Sequence, residues 1–169
     1  CCLTTSAFAQ EIKCGATEKM RSYLDANPTA EKNRSKLEEQ TKKFIKNTKN
    51  IVTIPVVVHI VYNSAIENIS DSQIESQIEV LNKDFRRTNQ DAWNAPNIFQ
   101  SVAADLQINF CLAKQTPNGE PTNGILRKQT ILPLFTLYSS NIHFDSLGGS
   151  SAWDSERYLN IWVCNIENG

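Results

Sequence analysis

The stretch Ile54-Pro55-Val56-Val57-Val58-His59-Ile60-Val61-Tyr62 decides the fold of this chain. It is a nearly unbroken run of apolar, mostly β-branched side chains. Continuous rather than alternating hydrophobicity marks a strand covered on both faces, as in a parallel sheet. The run reaches back to Ile51, where the composition changes sharply. Pro55 has no N–H to give a ladder, so the well-paired part of the strand is expected to start after it.

Working outward, the next segment reads as a helix. Ser70 is a good N-cap, Gln73 stands three residues on as in a capping box, and Ile69 and Ile74 have the spacing of a hydrophobic staple. Ile74, Ile78, Leu81 and Phe85 make one apolar stripe, and the helix is expected to run to about Arg87. Leu106, Ile108, Phe110 and Leu112 then alternate with polar residues and Cys111 as a strand. Strand, helix, strand is a βαβ unit, with parallel strands and a right-handed crossover. Residues 115–157 are rich in turn residues, an uncommonly long connection unless it is functional. Leu159, Ile161 and Val163 form a third strand, and Glu167-Asn168-Gly169 reads as a turn leading to another.

Residues 10–50 are different in kind. They are polar and short of large apolar residues, with helical spacing at Met20–Leu24 and again at Leu37, Phe44 and Ile45, broken by Asn27-Pro28. Two modest helices with little core of their own are expected. This region carries ten Lys/Arg and six Asp/Glu, a net of +4, whereas residues 51–169 carry seven and twelve, a net of −5. The whole chain is near neutral at −1, which argues against a general nucleic-acid binder. No apolar run reaches the length of a bilayer span, so no membrane anchor is visible.

The first residues read as the tail of an export signal. Ala7-Phe8-Ala9 offers small residues at the two positions that signal peptidase reads, with cleavage before Gln10. Residues 1–9 are therefore taken as a signal-peptide remnant and the protein as secreted. Of the five cysteines, Cys14, Cys111 and Cys164 would remain, and one disulfide plus one free thiol is the simplest arithmetic.

Few residues suggest chemistry. The chain has two histidines, His59 and His143, and lacks H-E-x-x-H, the spacing that puts two zinc ligands on one helix face. His59, inside the apolar strand, reads as a satisfied core histidine. His143 sits in the long loop with no second ligand at metal spacing. No C-x-x-C, G-x-S-x-G, Walker or G-x-G-x-x-G motif is present, and Gly148-Gly149-Ser150-Ser151 lacks strand–turn–helix context. Glu38-Glu39 reads as exposed helix charge. Cys14, in Lys13-Cys14-Gly15, is a candidate metal ligand, because a neighbouring cation or metal lowers a thiol's pKa. The alternatives for it are a disulfide with Cys111 or Cys164, or an inert thiol.

These stretches taken together resemble the N-terminal part of a pappalysin-type zinc metallopeptidase, one of the metzincins. The resemblance rests on Ile54–Tyr62, Asp71–Phe85, Ile108–Ala113, Gly124–Arg127 and Trp153–Cys164, in family order and spacing. It implies an α/β fold: an incomplete, zincin-like, twisted and mostly parallel sheet backed by helices, preceded by a largely helical pro-segment at 10–50. Residues 51–169 would be the first part of a secreted metalloendopeptidase's catalytic domain, cut before its zinc motif, third histidine and Met-turn. Met20, in the leader, cannot be that turn. The resemblance implies a protein or peptide substrate, hydrolysis by zinc-activated water, and zinc ligands downstream of Gly169. It makes Cys14 a cysteine-switch ligand, and assigns no catalytic residue within the 169. The rival expectation is a non-catalytic secreted binding module with 115–157 as its contact surface.

Overall fold

The computed structural model describes residues 16–43, 51–136 and 139–167. The chain divides into two compact units, Cys1–Lys46 and Asn47–Gly169. The signal-peptide reading of residues 1–9, and Cys14, lie outside the described residues.

The first unit holds two helices, α1 (Ala16–Ala26) and α2 (Pro28–Lys43). Proline suits the first position of a helix, where its missing N–H would have had no partner. The side chain of Asn27 closes α1 by donating to the carbonyl of Tyr23 at 2.8 Å. Between residues 19 and 42 only Leu24 and Ala30 are even half-buried; every other side chain is exposed. The helices thus form as the spacing predicts, and build no core.

The second unit is a parallel sheet with one long helix against it. Strand β1 (Val52–Tyr62) is its axis. Helix α3 (Asp71–Phe85) follows, then a single turn of helix α4 (Asn97–Gln100), β2 (Ile108–Leu112), β3 (Ile125–Gln129) and β4 (Leu159–Val163). All three later strands pair with β1 in parallel. Strand β2 covers Val52–Val56 and β3 covers Val58–Tyr62, in tandem along one edge. Strand β4 runs along the other, from Val56 to Ile60. Strand β1 is thus flanked by β2 and β3 on one edge and by β4 on the other.

Backbone parity explains why Pro55 sits inside β1 rather than before it. Val52 and Val58 donate to Gln107 and Gly124, and the carbonyls of Val56 and Tyr62 accept from Ala113 and Thr130. Even-numbered residues of β1 therefore turn their backbone toward β2 and β3. Pro55 turns the other way, toward an edge that β4 reaches only from Val56. Its missing N–H costs the ladder nothing, and the strand starts at Val52.

Side chains divide in the same alternation. Val56, Val58 and Ile60 point into the main core with Ile74 and Ile78 of α3, Phe110 and Ile125. Burying one such side chain contributes roughly 1.5–3 kcal/mol. Ser70 caps α3, its hydroxyl accepting from the N–H of Gln73 at 3.3 Å. The helix ends at Phe85, before the expected Arg87, because Arg87 takes a left-handed φ of 51° and turns the chain back. Asn82 of α3 then seals the free edge of β2. Its Nδ2 donates to the carbonyl of Phe110 at 3.0 Å and its Oδ1 accepts from the Phe110 N–H at 2.6 Å. This occupies the Phe110 backbone groups that an edge strand would otherwise offer for pairing.

Strand β3 was not expected as a strand within the turn-rich tract. It forms because Gly124, at φ 76°, lets the chain pass close to Ala113 and take over the edge that β2 leaves. A Cβ at Gly124 would lie 2.6 Å from the Ala113 nitrogen.

Candidate functional site

The odd-numbered face of β1 holds the polar cluster that the sequence did not assemble. His59 has 0 % of its surface exposed. Its Nδ1 lies 2.8 Å from Ser150 Oγ and its Nε2 lies 3.0 Å from Asn160 Oδ1. The amide of Asn160 is oriented by the backbone of Trp153, accepting from that N–H at 2.8 Å and donating to that carbonyl at 2.9 Å. Oδ1 therefore faces the imidazole as an acceptor. It follows that Nε2 carries the ring proton and donates to Asn160, while Nδ1 accepts from the Ser150 hydroxyl.

Aromatic rings close the cluster. Trp162 of β4 stacks on His59 with centroids 4.9 Å apart and planes 14° apart, and His143 stands edge-on to the same indole at 4.4 Å. The Trp162 Nε1 donates to the carbonyl of Ser150 at 2.9 Å. Burial holds the His59 pKa below the usual histidine value of 6.5; the Asn160 hydrogen bond and the charge of Asp145 oppose this, and His143 adds to it. Asp145 itself is pulled down to about 2, first by the hydrogen bond from Lys128 and then by Ser151.

Serine, histidine and asparagine in this order suggest a nucleophilic triad, but the geometry excludes one. Ser150 is only 7 % exposed and its base is fully enclosed. The neighbouring N–H groups of Gly149, Ser150 and Ser151 donate to Phe144 O, Ile142 O and Asp145 Oδ2. None remains to stabilise an oxyanion. The cluster is a fastening: it ties the segment before β4 to the sheet.

The same cluster does not fit zinc. Both nitrogens of His59 are engaged, and among the described residues no three His, Cys, Asp or Glu lie together as a metal site. Cys111 and Cys164 are both free thiols, against the expected single disulfide. Cys111 pairs with Pro55 on one edge of β1, and Cys164 follows the Val163–Ile60 pair on the other. Six residues of strand, roughly 20 Å, and the width of β1 separate them, far beyond disulfide reach. Burial, with the charge of Glu67, pushes the Cys164 thiol up, which keeps it protonated and unreactive.

Sequence reasoning placed His59 in the core, and missed Ser150, Asn160 and Trp162 as its partners. The signals were present: Gly148-Gly149-Ser150 is a tight turn, and Asn160 and Trp162 are the polar and aromatic positions of a short strand. What links them is the register of β4 against β1, His59 opposite Trp162.

With fold and cluster in view, the chain is similar to metallopeptidases of known structure. One is mirolysin in complex with compound 9, 51% identical over 70% of this chain and 44% of that chain, with a TM-score of 0.67. Tannerella forsythia mature mirolysin in complex with a cleaved peptide is 50% identical over 68% of this chain and 43% of its own, TM-score 0.65. A Tannerella forsythia promirolysin mutant is 43% identical over 85% of this chain and 47% of its own, TM-score 0.73. The chain spans less than half the length of each of these. No family model matches the chain, and no curated protein sequence matches it.

Proposed function

We propose that this chain is the N-terminal portion of a secreted, zinc-dependent metalloendopeptidase of the pappalysin family. On this reading residues 1–9 are the remnant of a signal peptide, 10–50 a pro-segment, and 51–169 the first part of the catalytic domain. The observation that carries it is the 51% identity with mirolysin over 70% of the chain. A protein or peptide substrate is favoured by the neighbour solved with a cleaved peptide.

The boundary near residue 50 has separate support. The matches to mirolysin cover 70% and 68% of the chain, and the match to promirolysin covers 85%. Residues 51–169 number 119 of 169, or 70%. The added share in the pro-form has the size expected if part of residues 10–50 is a pro-segment. The zinc and its ligands are assigned to the length of the relatives that this chain does not span. Cys14 is assigned as the latency ligand, which a thiol in a basic leader suits. None of the described helices is long and apolar enough to cross a membrane.

The test uses the intact protein. Bound zinc is measured by elemental analysis, and cleavage of an unstructured protein substrate is followed with and without a chelator. Metal bound and chelator-sensitive cleavage are expected, with earlier onset of activity in Cys14→Ser. A folded intact protein that binds no zinc and cleaves nothing after removal of residues 1–50 would overturn the assignment.

A further inference from the structure

Four side chains of the sheet fasten the segment that precedes β4. Lys128 of β3 holds Asp145 at 2.5 Å, His59 of β1 holds the Ser150 hydroxyl, Trp162 holds the Ser150 carbonyl, and Asn160 holds both backbone groups of Trp153. Among these fastenings only the imidazole changes charge between neutrality and mild acid. Asp145, at about 2, stays ionised throughout.

We propose that His59 is an acid-released clasp: neutral, it holds residues 141–153 on the sheet; protonated, it lets them go and uncovers Trp162. The geometry supplies the reason. In the neutral ring Nδ1 accepts the Ser150 proton and Nε2 donates to Asn160. A second ring proton would oblige the Ser150 hydroxyl to give up donating and turn to accept, and would place a cation where no surface is exposed. The groups that face the ring pull in opposite directions, Asp145 favouring the cation and His143 opposing it, and burial outweighs both.

The sign follows from linkage. A histidine held neutral in the fold binds its proton more weakly than the released ring does. The clasp is therefore complete above pH 6.5 and is lost as pH falls below that value through the folded pKa. Release begins at Ser150 and Trp153, because the Asp145–Lys128 tether survives. The clasp uses only groups of residues 51–167 and needs no metal.

Hydrogen exchange of the intact protein, read by mass spectrometry and corrected for the intrinsic pH dependence of exchange, tests this. Wild type, His59→Gln and His143→Gln are compared from neutral to mildly acidic pH. In wild type and His143→Gln, peptides within 141–153 are expected to lose protection below pH 6.5 while α3 stays protected. In His59→Gln the step is absent. Two results would overturn the clasp: protection of 141–153 that follows α3 at every pH in wild type, or a step abolished by His143→Gln. If His59→Gln fails to protect α3 and so has not folded, the wild-type and His143→Gln profiles decide alone.

Discussion

The two faces of β1 are built on opposite principles. The face of Val56, Val58 and Ile60 is dry, closed by α3 and by apolar side chains from β2 and β3. The face of Val57, His59 and Val61 lies under irregular chain, and its centre is a hydrogen-bonded histidine. The dry face is non-directional, so many sequences of the right volume would serve it. The polar face is directional: each donor has one acceptor, and the cluster holds together only if all its members are present. One strand thus anchors a tolerant core and an exacting latch.

The largest effect should come from breaking the dry face. Ile60→Ala removes a fully enclosed side chain from the middle of the core and leaves a cavity against α3. Such truncations cost about 2–5 kcal/mol. A lower urea midpoint with an unchanged slope is the expected result. A midpoint within experimental error of wild type would mean that α3 does not seal this face.

Asn160→Ala breaks the polar face, with a smaller cost. It strands the Nε2–H of His59 and both backbone groups of Trp153. Leaving such groups without partners costs about 1–3 kcal/mol. Asn160→Asp keeps the acceptor that faces His59 but loses the donors to Trp153, so it should recover part of the loss. Equal destabilisation by the two variants would show that the bond to His59 contributes little.

The two faces were not equally legible in the sequence. The dry face follows from local pattern. A continuous β-branched run, a stripe at Ile74, Ile78, Leu81 and Phe85, and a serine cap specify β1 and α3 to within a residue or two, and alternation at Leu159–Val163 gives β4 its observed bounds. The polar face depends on partners 91 and 101 residues from His59, which only strand register brings into contact. Strand β3 was hidden for a related reason. Its five residues include Arg127 and Lys128, and its strand character comes from the edge of β1 that β2 leaves uncovered. Pro55 misled because a proline's effect on a ladder depends on which edge it faces, which is a property of the sheet.

A milder change sharpens the comparison at the entry to α3. Ser70→Ala removes the hydroxyl that accepts from Gln73. Loss of such a cap costs typically about 1 kcal/mol. The effect should appear in the urea midpoint and leave exchange in 141–153 untouched, because the cap serves the dry face only. Coupled loss of protection in 141–153 would show that the two faces are not independent.

The smallest effect should come from Lys128→Met, at the exposed end of the latch. Its ammonium meets Asp145 with the two side chains 31% and 60% exposed. Surface pairs of this kind are worth about 0.2–1 kcal/mol, and salt screens them. The pH dependence separates the pair from the rest of the latch. Asp145 has its folded pKa lowered to about 2 from 3.8, so what it contributes is present above 3.8 and is lost as pH falls through about 2. The difference in thermal midpoint between wild type and Lys128→Met should therefore be constant from neutrality down to pH 3.8 and shrink below it. If the difference instead disappears on crossing pH 6.5, the tether and the histidine clasp act as one unit, and the polar face is held by a single cooperative network rather than by two fastenings of different strength.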